Sequence, residues 1–311
     1  FYANATFRKS NLVFICASGN NTDILFAFKK AIESDPLSIL SICMRKKSKL
    51  ATLAAEYSGC NTFGFDPPAG KDGFLATNSL AAYFVILYRA IADSRLAYQL
   101  PASDDSPFLG VLKKVNKQTS FTILYGSYHH AVAVDLESKF SEAGLAASLL
   151  CDYRHFAHGR HNWFDKQKNS VVIALSCPAD EKLCNKTLDL LPASIQKVVL
   201  ATHVNSFEGT IHLLVQSMQL INQIGKKVKI DPGRPGVPPY GSKIYHLKYD
   251  RLVSGQPLKM EELAIARKAK VNRIADLEKK VFDKWLSDLA SFKKKLEDAK
   301  FGSLIFDYDG T

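Results

Sequence analysis

Residues 135–163 read DLESKFSEAGLAASLLCDYRHFAHGRHNW, and they carry the side chains best suited to moving protons. Lys139 and Glu142 stand three apart, a spacing that puts two side chains on one face of a helix. His158 follows Glu142 by sixteen residues, inside FAHGRH. A carboxylate, an ammonium and an imidazole are the groups that acid–base work on a small carbonyl compound requires. The stretch is expected to begin as a helix, opened near His129 or His130, and to end as a polar, aromatic, histidine-rich loop. The bland alternative makes Glu142 a surface acid paired with Lys139 or with a charge one turn away. His155, His158 and His161 recur at a spacing of three, but no flanking carboxylate signature accompanies them, so no metal is expected. Arg160 and Arg234 are by default exposed charges.

These groups need a scaffold. NLVFIC (Asn11–Cys16) is a short apolar run suited to a buried strand, and a helical pattern follows from Ile24. Between them, ASGNNTD joins a strand to a helix start, where amide groups and the Ser18 and Thr22 hydroxyls can hold a phosphate. The plain alternative is an N-cap by Thr22 or Asp23. Strands are expected at Ser38–Cys43, 61–65, 121–125, 171–177 and 197–202. Helices are expected at 49–57, 76–93, 180–190 and 208–224. Such alternation predicts α/β architecture with parallel sheets covered on both faces. Residues 99–107 read as a linker. Residues 230–246, rich in Pro and Gly, are expected to lie over the surface without regular helix. Residues 256–300 show apolar positions at spacings of three and four, including Trp285, Leu289 and Phe292, which predicts an amphipathic helical connector.

Composition sets the limits. The chain has 311 residues, 47% hydrophobic and 23% charged, which fits folded domains rather than disorder. No apolar run is long enough to span a membrane, and FYANATFRKS lacks the apolar centre of a signal peptide. The six cysteines form no CxxC pair, so free thiols in a reducing, cytoplasmic setting are expected. A net charge of +11 favours anionic partners. No basic run interleaves with stacking aromatics, so phosphorylated small molecules are expected and nucleic acid is not.

Four motifs, in order, resemble the sugar-isomerase (SIS) family in its double-domain form, as in the isomerase half of glucosamine-6-phosphate synthase and related deglycases. FICASGNNTD is similar to the family's strand followed by S-x-S-G-E-T-x-D. AGKDGFLATNS is similar to its A-G-x-E-x-x-x-A-S loop. Lys139, Glu142 and His158–Gly159 match its K-x-x-E helix with H-G sixteen residues on. Lys243–Ile244–Tyr245 matches the lysine in its tail. The resemblance implies two SIS-type three-layer sandwich subdomains, at 1–98 and 119–250, with a helical connector at 256–300. It implies a sugar-phosphate isomerase or deglycase working through an enediol or enamine, without cofactor, as a homodimer. Ser18, Asn21 and Thr22 would cradle the phosphate, and Thr77 and Lys139 would help hold the sugar. Glu142 would be the base, His158 would assist ring opening and Lys243 would act on the carbonyl. The chain departs from the family at Cys16, Asn20 and Asn21, which stand for its Ser, Glu and Thr. Those departures motivate a second reading, a non-catalytic phosphosugar or nucleotide-sugar sensor module regulating a fused haloacid-dehalogenase-like phosphatase.

The last residues, LIFDYDGT, resemble the first motif of haloacid-dehalogenase-type phosphatases. Asp307 would then be a nucleophile, Asp309 an acid/base and Mg²⁺ the cofactor of a domain beginning at 301–311 and continuing beyond Thr311. The chain is accordingly expected to be an internal piece of a longer protein.

Overall fold

Strand β4 (Ser120–Tyr125) shows how the expected alternation is realised: it pairs in parallel with β5 (Ser148–Asp152) on one side and β6 (Ser170–Ser176) on the other. A computed structural model of the chain describes residues 10–33, 36–57, 59–67, 72–92, 108, 110, 112–126, 129–247, 265, 268–271 and 277–300. The fold is α/β, and the chain divides into two compact units, one of 43–47 and 64–246, the other of 1–42, 48–63 and 247–311.

The larger unit holds a four-stranded sheet in the order β5-β4-β6-β7, with β7 at Gln196–Ala201. All of its pairs are parallel, with Ile123 beside Ile173 and Ile173 beside Val198. Every residue of β6, SVVIALS, is buried, as a parallel strand covered on both faces requires. Its side chains alternate between two cores. Val171, Ile173 and Leu175 join residues of α4 (His130–Glu142) and α8 (Phe207–Val228). Val172 and Ala174 join Tyr153 and Phe156 of α5 (Tyr153–Ala157) and Cys184 of α7 (Glu181–Asp189). The result is three layers, with Phe121 stacked on Phe140 at 4.6 Å between sheet and helix α4. Helix α3 (Asn78–Ala92) joins the same side, where Phe84 stacks on Phe207 at 5.4 Å. Each side chain buried in this way contributes about 1.5–3 kcal/mol.

In the smaller unit, β1 (Asn11–Cys16), β2 (Ser38–Cys43) and β3 (Cys60–Gly64) form a sheet in that order, with helices α1 (Thr22–Glu33) and α2 (Lys49–Ala54). Phe28 is fully buried there and meets Phe14 at 5.6 Å. Helix α10 (Lys279–Asp298) falls within the expected connector.

Two expectations are corrected. The stretch 135–163 does not simply pass from helix to loop. SLLCD is strand β5, and Asp152 caps helix α5 by accepting from the amides of Arg154 and His155. A turn at Arg160–Asn162 and helix α6 (Trp163–Lys166) follow. The short apolar run SLLC gains its strand from pairing with β4. The Pro-rich tail also holds a helix, α9 (Pro239–Tyr245). Its prolines stand at the N-cap and the first helical position, where the missing amide costs nothing, and no proline follows them. The linker at 99–107 and the motif with Asp307 and Asp309 lie outside the described residues.

None of the six cysteines is joined in a disulfide, and Cys43, Cys151, Cys177 and Cys184 are buried. Burial pushes the Cys151 thiol up to about 11, which keeps it protonated and inert. No helix among the described residues is long and apolar enough to cross a membrane.

Candidate functional site

In the larger unit, a cavity of about 180 Å³ lies beside helix α4, lined among others by Gly73, Thr77, Lys139, Asn222, Asp231 and Gly233. It gathers two of the residues singled out in the sequence, Thr77 and Lys139.

Three pieces of chain build it. The first is the loop before α3. Asp72 accepts from the Thr77 hydroxyl at 3.0 Å and the Asn78 amide at 2.8 Å, and its second oxygen takes the Ser79 hydroxyl. The carboxylate thus satisfies the orphan amides that open helix α3 and fixes Thr77. Burial raises the Asp72 carboxyl, but the bonds from Ser79 and Thr77 outweigh it and hold the group below its ordinary value. The second piece is the last part of α8, with Asn222, and the chain after it. Lys229 ends that helix in the left-handed region, at φ 60°, and the Ile230 amide turns back to the Gly225 carbonyl. A Cβ on Gly225 would stand 2.6 Å from Pro232, so only glycine lets the tail fold back there. The tail then meets the first loop where the Phe74 amide bonds the Gly233 carbonyl at 2.9 Å. The third piece is α4 itself, whose Lys139 is only 3% exposed.

Lys139 pairs with Asp135 one helical turn earlier, not with Glu142. Burial raises the Asp135 carboxyl, while the Lys139 charge and hydrogen bond oppose that shift. The second oxygen of Asp135 is buried without a partner among the described residues. An ammonium, a hydroxyl and the Asn222 amide around one hollow can hold sugar hydroxyls or an anion.

Glu142, His158 and Lys243 are exposed, and none of them lines this cavity. Glu142 is the last residue of α4 and accepts from the Ser138 hydroxyl at 2.5 Å. Three residues turn a helix by about 300°, which leaves two side chains about 60° apart. The boundary between core and solvent falls within that angle, so Lys139 is buried and Glu142 is not. His158 follows the last residue of α5. Its neighbours Gly159 and Arg160 line a second cavity of about 270 Å³, with Thr122, Cys151 and Trp163. The other loop histidines are spoken for: His155 pairs with Asp152 at 2.8 Å, and His161 meets the Phe156 carbonyl at 3.1 Å. Lys243 stands in helix α9.

In the smaller unit, the loop after β1 has the expected strand–turn–helix form, with Gly19 in the left-handed region at φ 63°. Ser18 accepts from the Asn20 amide at 3.2 Å. Asn21, rather than Thr22 or Asp23, caps α1 by accepting from the Asp23 amide at 2.6 Å. Asn20 accepts from the Lys49 amide at 2.8 Å, and the Leu50 amide reaches the Gly19 carbonyl, so the loop is tied to the start of α2. Thr22 is exposed at the first turn of α1.

Neither a protein-family model nor a curated protein matches the sequence. Solved structures do match. Glucosamine-6-phosphate deaminase from Thermotoga maritima aligns with TM-score 0.54 at 16% identity, over 75% of this chain and 74% of that one. Tagatose-6-phosphate ketose/aldose isomerase from Escherichia coli aligns with TM-score 0.51 at 16% identity, over 74% of this chain and 71% of that one. At such identity the likeness establishes the fold, a SIS-type α/β sandwich.

Asp72, Asp135, Asn222 and Asp231 were not singled out in the sequence. Asp135 carried a usable signal, because it stands four residues before Lys139, the spacing of a helical ion pair. Asp231 comes to the cavity only through the fold-back at Gly225, which nothing in the local sequence marks, and Asn222 comes to it on helix α8.

Proposed function

We propose that this chain binds a phosphorylated sugar and acts on it as an aldose–ketose isomerase or deglycase. The observation that carries the proposal is the Thr77–Lys139 cavity in a fold shared with structures described as a sugar-phosphate deaminase and a sugar-phosphate isomerase. An aldose–ketose shift needs one base that takes a proton from one carbon and returns it to the next, an acid for ring opening and a cation at the developing oxyanion. Glu142 is proposed as the base, His158 as the ring-opening group and Lys243 as the cation or imine former, all three acting on the sugar from outside the Thr77–Lys139 cavity. Thr77 and Lys139 are proposed to hold sugar oxygens, and Ser18, Asn21 and Thr22 to bind phosphate through the α1 start. The protein is proposed to act as a homodimer.

The test is incubation with hexose, pentose and amino-sugar 6-phosphates or 5-phosphates, followed by separation of aldose from ketose. Interconversion that Glu142→Gln abolishes, with binding kept, supports the reading. No interconversion of any of them sinks it. A second reading, a phosphosugar sensor without turnover, is favoured by Asn20, whose side chain is spent on the start of α2. A ligand that raises the unfolding temperature without being converted identifies that case.

A further inference from the structure

We propose that His129, Cys177 and Asp180 bind a divalent zinc ion at the carboxyl ends of strands β4 and β6. These strands are parallel neighbours, with Leu124 beside Ala174, so their carboxyl ends lie at one edge of the sheet. His129 comes just after β4 at the start of α4, and Cys177 and Asp180 come just after β6. Ligands in open parallel sheets gather at this edge.

Three observations make the trio a site rather than a coincidence of neighbours. One donor atom from each residue lies within 4.8 Å of the others. His129 is 0% exposed, yet neither ring nitrogen has a hydrogen-bond partner among the described residues. Buried imidazoles are nearly always satisfied, so this one calls for a missing partner. Asp180 has its own orphan: one oxygen accepts from the Cys177 amide at 2.8 Å, while the other is buried without a partner among the described residues. That second oxygen comes so close to Gly126 that a Cβ there would lie 1.8 Å away. The missing side chain at Gly126 leaves the space the carboxylate occupies.

The donor set selects the ion. Magnesium and calcium take oxygen ligands, whereas imidazole, thiolate and one carboxylate suit zinc. Zinc holds such donors at about 2.0–2.3 Å, which places them about 3–4 Å from one another. A small closure of three side chains reaches that arrangement. On binding, Cys177 delivers its sulfur as thiolate and its proton goes to solvent. Three protein ligands leave a fourth position for water or another donor. The site stands at the opposite end of α4 from Glu142 and does not depend on the sugar reading.

The test uses the whole protein, stripped with a chelator. Titration with Zn²⁺ followed by calorimetry is expected to show one tight site. Co²⁺ is expected to give a thiolate-to-metal absorption band. His129→Gln, Cys177→Ser and Asp180→Asn should each weaken zinc binding at least about tenfold. Cys177→Ser should also lose the Co²⁺ thiolate band, while Cys184→Ser keeps it. Where a variant does not fold, the wild type decides: Zn²⁺ should raise its unfolding temperature, and chelator should reverse the rise. No tight zinc site in the wild type, or a Co²⁺ band unchanged in Cys177→Ser, overturns the proposal.

Discussion

Lys139 and Glu142 belong to one helix and stand three residues apart, but their surroundings are opposite. Lys139 is enclosed, neutralised by Asp135 and set in the wall of a cavity. Glu142 is exposed and accepts from the Ser138 hydroxyl. The difference teaches that spacing on a helix names neighbours, whereas the position of the core decides what each neighbour does. A buried ion is committed to holding structure and lining the cavity. An exposed one at the helix end costs little to keep.

The largest expected effect falls on the enclosed side. Lys139→Met leaves the half-buried Asp135 carboxylate without its cation, which is expected to cost up to about 3 kcal/mol in denaturant unfolding. Replacing both, as Asp135→Leu with Lys139→Met, should restore most of that loss. A Lys139→Met protein as stable as the wild type would mean the pair is not enclosed in solution.

Next comes the fold-back that closes the cavity. Gly225→Ala would press a methyl group against Pro232 and the Ile230 carbonyl, at an expected cost of about 1–3 kcal/mol. Any sugar-phosphate binding should weaken with it, because Asp231 and Gly233 would leave the wall.

Asp72→Ala should cost about 1 kcal/mol near neutral pH, through loss of the caps on helix α3. The sign of its pH dependence follows from the bonds that hold this carboxyl below its ordinary value. Stability from such a group is present above the unfolded-state pKa and disappears as pH falls through the folded-state one. The gap between wild type and variant should therefore be flat near neutrality and close in acid. A gap that widens in acid would contradict the assignment.

The smallest stability effect is expected at Glu142→Gln, within about 0.5 kcal/mol, as for a surface substitution that breaks no buried contact.

Much of the fold could be read from the chain. The runs around Phe121, Val171 and Val198 are short, apolar and rich in β-branched residues, and they became the parallel sheet. Strand β5 escaped because SLLCD is too short to show a period and is defined by its partner β4. Helix α9 escaped because Pro238 and Pro239 read as breakers, although a proline at a helix start is harmless. The candidate site was half legible. Thr77 and Lys139 could be picked out, but their meeting depends on Asp72, six residues before Asn78, and on a glycine in α8. Such dependence on distant parts leaves no local signature.

The central claim is that the exposed acid at the end of α4 moves a proton on a phosphorylated sugar. It is tested most directly by following deuterium from heavy water into the carbon next to the carbonyl of sugar phosphates, using wild type and Glu142→Gln. The account predicts incorporation by the wild type and a fall of at least about a hundredfold in the variant, with ligand-induced thermal stabilisation unchanged. Incorporation by the variant at the wild-type rate, or none by the wild type with any sugar phosphate that stabilises it, would contradict the account.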